Sequence, residues 1–217
     1  MNPAPRLLLA SRSPRRRELL VRLGCAFEVI DVEVPEQRHA GETPAEYVQR
    51  VAHDKAAAGW ARVRGPQPTL VLGADTEVVL DDTVFGKPAH AAAALDMLQR
   101  LSGHEHEVLS ALCLLGAGGA RTALVRSTVR FAPLDAETLH AYVASGEPFG
   151  KAGAYAIQGY AESFVTRLAG SYSGVMGLPL HATASLLRAA GVAMGRRPPR
   201  RESEPPRAFR AALLHCA

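Results

Sequence analysis

The 217-residue chain has only three cysteines, Cys25, Cys113 and Cys216. They form neither a metal-ligand spacing nor an even disulfide set, so Cys25 and Cys113 read as core thiols. Long apolar runs are missing too. The first, Leu7 to Ala10, stops at Ser11 and Arg12, too short for the core of a signal peptide, and no later segment approaches the length needed to cross a bilayer. A soluble, cytoplasmic protein with no membrane partner is expected. No internal repeat is visible. Lysine is scarce: 22 arginines stand against three lysines, Lys55, Lys87 and Lys151. Each of the three falls where a compact ammonium can have a specific task.

The formal charge of +4 hints at nucleic acid, but its location removes most of that force. Residues 196–217 hold six arginines against two glutamates, so residues 1–195 balance at zero. This last segment is rich in Pro and Arg and has few core-forming residues until Leu213, which predicts one domain over 1–195 and a disordered tail over 196–217. The arginines lack the interleaved aromatics that stack on bases, a further argument against nucleic acid. With 47% of residues apolar, the chain can bury a full core in one domain or two closely joined lobes.

What is present is an alternation of strands and helices. Leu7 to Ala10 is long enough for a buried strand, Ser13 is a good N-cap, Pro14 fits the first helical position, and Leu19, Leu20 and Leu23 supply a core-facing stripe. Phe27 to Val32 reads as a second strand, followed by a polar loop through Glu36. Thr43-Pro44-Ala45-Glu46 has the form of a capping box and opens a long helix through Lys55 toward Arg62. Leu70 to Leu72 resumes a buried strand that ends at Gly73-Ala74-Asp75-Thr76, and Val78 to Phe85 form a hairpin around Asp81-Asp82. A helix over Ala89 to Leu101 and strands over Val108 to Leu115 and Thr122 to Phe131 come next. The glycine cluster between those strands reads as a hairpin turn, since no helix follows it. A helix over Asp135 to Ala144, a strand near Phe164-Val165, a loop over Gly170 to Gly174 and a helix over Pro179 to Ala190 complete the chain. This mixture predicts an α/β fold, a mixed central sheet flanked by helices, with a cleft.

Several groups could carry chemistry. Arg15, Arg16 and Arg17 occupy the first turn of a helix, whose free N–H groups and positive dipole end favour the opposite charge, and an anion at this hydroxyl-rich turn of Ser11 and Ser13 resolves the conflict. Solvated arginines on an ordinary strand-turn-helix are the alternative. Asp75 sits where α/β sheets place ligand-facing residues, or else caps a turn. Glu36, Asp75 and Glu77 can offer oxygens to Mg²⁺; alternation sends Glu77 to the face of Asp75, although an exposed strand residue is its commoner fate. Lys55 and Lys87 are either surface lysines or partners of Arg15 and Arg16 in a cationic site suited to a polyphosphate and to charge on a leaving pyrophosphate. Gly170-Ser171-Tyr172-Ser173-Gly174 is not a nucleophile elbow, and a P-loop is absent. His104 and His106 share a strand face, but no third zinc ligand is signalled.

Taken in order, Ser11-Arg12-Ser13-Pro14-Arg15-Arg16, Gly73-Ala74-Asp75-Thr76, Gly86-Lys87-Pro88, Ser102-Gly103 with His106, Lys151 to Gly159, and Gly177-Leu178-Pro179-Leu180 make a series that resembles the Maf proteins over about residues 6 to 192. These are nucleoside triphosphate pyrophosphatases, also called septum formation inhibitors. The resemblance implies an α/β fold like that of inosine triphosphate pyrophosphatase, with a cleft between two lobes. It also implies a split of a nucleoside triphosphate into monophosphate and pyrophosphate that depends on Mg²⁺ or Mn²⁺. Under it Asp75 is the proton acceptor and, with Glu36, a metal ligand, while Lys55 and Lys87 act around the triphosphate. Ser11, Ser13, Arg15, Arg16, Thr76 and Gln158 are then the substrate-binding residues, with Arg15, Thr76 and Gln158 at selectivity positions.

The Ala156-Ile157-Gln158-Gly159 form is similar to the branch acting on dTTP and UTP, modified pyrimidine nucleotides included. The expected role is nucleotide-pool sanitation or division control, and a homodimer is compatible with it. A 7-methyl-GTP pyrophosphatase and a non-enzymatic division regulator that binds nucleotide or nucleic acid are the alternatives. Four positions depart from the family pattern: Gly150 and Pro35 stand where acidic residues are frequent, Ser110 replaces a common threonine, and Glu77 replaces a usually apolar residue.

Overall fold

Leu7 to Ala10 alternate between two apolar layers, and that alternation sets the architecture of the computed structural model, which describes residues 5–195. Leu7 and Leu9 join the larger core with Leu19, Leu20, Leu72, Leu98 and Leu112, while Leu8 and Ala10 face a second layer with Val32 and Val71. A strand buried on both faces belongs inside a sheet. The expected tail and Cys216 lie outside the described residues. Among those residues no helix is long and apolar enough to cross a membrane.

The elements run β1 (Arg6–Ala10), α1 (Pro14–Val21), β2 (Glu28–Ile30), α2 (Pro44–Trp60), β3 (Thr69–Leu80), β4 (Thr83–Phe85) and α3 (Ala91–Leu101). They continue through β5 (Glu105–Gly116), β6 (Gly119–Phe131), α4 (Ala136–Ala144), β7 (Val165–Ala169), α5 (Tyr172–Val175) and α6 (Leu180–Ala189). One seven-stranded sheet has the order β2-β1-β3-β5-β6-β7, with β4 paired to β3. β1 is parallel to both β2 and β3, whereas β3, β5, β6 and β7 are antiparallel in sequence. This is the mixed sheet flanked by helices that the pattern predicts.

The caps behave as their sequences require. Ser13 accepts from the Arg16 N–H, and Thr43 and Glu46 form the reciprocal capping box at the start of α2. Three boundaries differ. β3 does not end at Asp75 but runs to Leu80 as a single 12-residue strand. Its ladder to β5 is unbroken from Leu70 to Val79, and that pairing overrides the turn-like look of Gly73-Ala74-Asp75-Thr76. β2 keeps only Glu28 to Ile30 of the expected strand, because it is an edge strand bonded on one side to β1 alone. Tyr172 to Val175 form a helical turn inside the expected loop, capped by Ser171.

His106 is buried at 2% exposure, with Nε2 3.0 Å from the Tyr155 hydroxyl and its ring edge-on to Phe131 and Tyr155. His104 lies just outside β5, on the surface, so the two histidines share no site. Burial pushes the His106 imidazole down to about 4. The unfolded chain therefore binds a proton first, and the stability contributed by neutral His106 is complete above about pH 6.5 and is lost as pH falls toward the folded value. Melting temperatures across this window should fall less steeply for His106→Gln than for the natural chain, the difference approaching about 1.4 kcal/mol per pH unit. Parallel curves would show that His106 does not titrate with unfolding.

Candidate active site

The cleft opens at a gap in the pairing of β3. One edge of β3 is bonded to β5 along Leu70 to Val79; the other is bonded to β1 up to Gly73 and to β4 from Val78. Ala74 to Glu77 lie between those partners. β1 has already turned away into α1, so the helix N-terminus and the open edge of β3 face the same space.

α2 supplies the other wall by lying close on the sheet. Gly73 permits this, since a Cβ there would stand 2.2 Å from the Ala52 carbonyl oxygen. The close approach buries Lys55, at 7% exposure, and sets its Nζ 2.7 Å from Asp75 Oδ1 and 2.7 Å from Glu36 Oε1. Lys87 Nζ lies 2.6 Å from Glu36 Oε2. Glu36, Lys55, Asp75 and Lys87 thus form one chain of charge across the cleft. Burial pushes the Glu36 carboxyl up, but Lys55 and Lys87 outweigh it and hold its pKa at about 2. Lys55 is not the surface lysine of the alternative reading.

Asp75 is 4% exposed, and its Oδ2 has no hydrogen-bond partner. Arg16 lies 4.0 Å from Oδ1 and donates from Nε to the Gly177 carbonyl. The three arginines of α1 therefore divide. Arg16 ties the helix to Asp75 and the Gly177 turn, Arg17 is exposed, and Arg15 lines the cleft while donating to the Gly150 carbonyl at 3.3 Å. Ser11 is buried and accepts from the Ser13 N–H, so both serines shape the turn from inside.

Thr76 points to the opposite face of β3 from Asp75. Its hydroxyl is 3.0 Å from Ser110 Oγ, which donates to the Gly174 carbonyl. The expected hydroxyl beside the carboxylate is thus shared with the Gly170–Gly177 wall, although Thr76 still lines the cavity. Gln158 stands exposed at the cleft margin. Two adjoining cavities, of about 270 and about 440 Å³, share Ser13, Arg15, Glu36, Lys87 and Gly150, and together they make one elongated cleft.

Glu77 corrects the expectation of an exposed strand residue. It is 6% exposed, lines the cleft on the face of Asp75, and its Oε2 has no partner. Burial, then Asp75, then Glu36 push its carboxyl well above the usual carboxylate range. Tyr47 and Lys151 also line the cleft, without a role assigned to them from the sequence. Tyr47 lies on the buried stripe of α2 that also carries Val51 and Lys55, and Lys151 donates to the carbonyl oxygens of Glu147 and Phe149. The scarcity of lysine pointed to Lys151; nothing in the sequence marked Tyr47. No three His, Cys, Asp or Glu side chains are assembled around one point among the described residues. Two open buried carboxylate oxygens nevertheless suit a hard divalent ion, which takes one or two carboxylates and completes its shell with water and phosphate.

A family model described as "Maf-like protein" matches residues 6–190. A protein of Xylella fastidiosa named "Nucleoside triphosphate pyrophosphatase" is 59% identical over 182 residues, covering 83% of this chain and 96% of that protein. A Xanthomonas campestris protein named "dTTP/UTP pyrophosphatase" is 57% identical over 187 residues, covering 85% and 98%. Among solved structures, a Mycobacterium abscessus nucleoside-triphosphatase / dITP/XTP pyrophosphatase is 16% identical, covering 88% of this chain and 100% of that one, with a TM-score of 0.39. That overlap is too loose to carry a fold assignment.

Proposed function

This chain belongs to the Maf-like protein family, and on that premise we propose that it hydrolyses nucleoside triphosphates, dTTP and UTP above others, to monophosphate and pyrophosphate. The observation that carries the reading is the unpartnered Oδ2 of Asp75, a residue fixed by Lys55 on its other oxygen in the wall of a cleft lined by cations. A carboxylate so held can position a water and take its proton. The water oxygen bonds to the α-phosphorus, the bond from that phosphorus to the bridging oxygen breaks, and pyrophosphate leaves with the electron pair.

Arg15, Lys87 and Lys151 line the path of the triphosphate and meet the charge that grows on the leaving group. No protein nucleophile is needed, because positioning and charge stabilisation are the main tasks in this chemistry. Mg²⁺ or Mn²⁺ would be held by Asp75 and Glu36, and when bound it would neutralise phosphate charge as a Lewis acid. Each carboxylate oxygen has two lone pairs, so Asp75 can serve both water and ion. A cytoplasmic location suits a nucleotide substrate.

Gln158 offers a donor and an acceptor at the cleft margin, matching the O4 and N3–H edge of uracil and thymine. Purified protein tested on a nucleotide panel, with pyrophosphate release followed with and without metal, should prefer UTP and dTTP to CTP and 7-methyl-GTP. Gln158→Glu should reduce kcat/KM for UTP by roughly tenfold or more and affect CTP less, since a site built on hydrogen bonds rejects ligands that leave them unpaired. Equal losses on all nucleotides would show that Gln158 does not read the base.

A further inference from the structure

Glu77 occupies a position that the mechanism above leaves without a task. It stands two residues beyond Asp75 on one strand, so both side chains rise from the same face. Across the ladder their partners on β5 are apolar, Ala111 opposite Asp75 and Leu109 opposite Glu77, both buried. Neither carboxylate meets a donor from the sheet. On the helix side Lys55 is paired with Glu36 and Asp75, and Lys87 is paired with Glu36. No cationic nitrogen lies within salt-bridge distance of Glu77 among the described residues, and its Oε2 is left buried and unpartnered. Val79, the next residue on that face, packs in an apolar cluster with Val48 and Leu109.

Glu36, Asp75 and Glu77 therefore stand in one cleft, and with Lys55 and Lys87 turned to Glu36 and Asp75, the carboxylate oxygens left buried and unpartnered are Oδ2 of Asp75 and Oε2 of Glu77. A buried carboxylate without a partner is unfavourable unless a proton neutralises it or something cationic completes it. Apolar or amide side chains fit a half-buried strand without that penalty. The ammonium groups are already placed, and the remaining open oxygens are hard donors on neighbouring positions, the chemistry that Mg²⁺ and Mn²⁺ take.

We propose that Glu77 is a ligand for a divalent cation in this chain, offering Oε2 beside Oδ2 of Asp75, so that the ion site forms before any nucleotide arrives. The inference deepens the nucleotide-hydrolase reading and rests on it for the identity of the cleft. A site with more carboxylates can bind the ion through protein charge alone; a site with fewer relies more on phosphate oxygens brought by the substrate. The more charged set binds more tightly.

The test is a titration of the full chain with Mn²⁺ in the absence of nucleotide, reading free Mn²⁺ by its paramagnetic resonance signal. Glu77→Gln and Glu77→Val are compared with the natural chain and with Asp75→Asn. Both Glu77 variants should weaken Mn²⁺ binding roughly tenfold or more. Without metal they should melt no lower than the natural chain, because a buried carboxyl with an unpartnered oxygen has been removed, and the rise in melting temperature on adding Mn²⁺ should shrink. Mn²⁺ affinity unchanged in both variants, with Asp75→Asn impaired, would overturn the assignment of Glu77 and leave the hydrolase reading standing. A natural chain that binds no Mn²⁺ without nucleotide would also overturn it, since that reading accepts an ion carried in on the triphosphate. Weakened Mn²⁺ binding in a protein that splits no nucleotide would support the Glu77 site and defeat the hydrolase reading.

Discussion

Asp75→Asn should lower turnover on UTP by at least about two orders of magnitude while the protein still folds. The amide keeps the shape of the carboxylate, so the β3 ladder and the fit against Ala111 are undisturbed. It can neither take a proton at the open position nor carry charge toward an ion. One bond also changes its character: Lys55, which donates to Asp75 Oδ1 at 2.7 Å, would face a neutral amide. KM should move much less than kcat, because the lost contact acts on the attacking water. Circular dichroism and melting curves test the fold, and initial rates of pyrophosphate release test the chemistry. A folded variant with natural turnover would remove Asp75 from the mechanism.

Lys55→Met should damage both stability and activity. The Lys55 side chain is 9% exposed and bridges Glu36 and Asp75. Its removal leaves two carboxylates facing each other across an apolar methylene chain, with Glu77 on the same face as Asp75. Breaking a buried pair in this way typically destabilises by about 3–5 kcal/mol, since the surviving charge stays buried without compensation. Turnover should fall by roughly a hundredfold in the protein that remains folded, because Asp75 loses the donor that orients it. The double variant Lys55→Met with Asp75→Asn should lose less stability than the two single losses combined, as residues in one network couple. Strictly additive losses, read from denaturant melts, would show that the two side chains act independently.

Much of this arrangement is legible in the chain, for physical reasons that differ between its parts. Caps and strong apolar runs are local, so Ser13-Pro14, the Thr43 capping box and the Leu7 to Ala10 strand stand where their sequences place them. The course of β3 is not local. Gly73-Ala74-Asp75-Thr76 has the composition of a turn, yet four residues of β5 pair with it, within a ladder of ten, and hold it extended. The role of Gly73 is equally hidden: its missing side chain matters because α2 lies against it, and that contact exists only in the folded molecule.

Burial is the other quantity that local pattern states poorly. Lys55 falls on the stripe of α2 that carries Val48, Val51, Ala52 and Ala56, a position that would be apolar in an ordinary amphipathic helix. That mismatch between residue type and helix face is a signal of function that needs no structure. Glu77 sends the same signal on a strand, a charged residue on a face that Val79, two positions on, packs into the interior. Arg16 is the converse case. Its place in a run of three arginines suggests a shared task, and only the Gly177 turn, brought in from the far end of the chain, separates its role from that of Arg15.

The most direct test of the account is hydrolysis of UTP in heavy-oxygen water, with the products resolved by mass spectrometry. Attack on the α-phosphorus by a water held at Asp75 places the heavy oxygen in the nucleoside monophosphate and leaves pyrophosphate unlabelled. Label recovered in pyrophosphate, or products that are the diphosphate and inorganic phosphate, would contradict it.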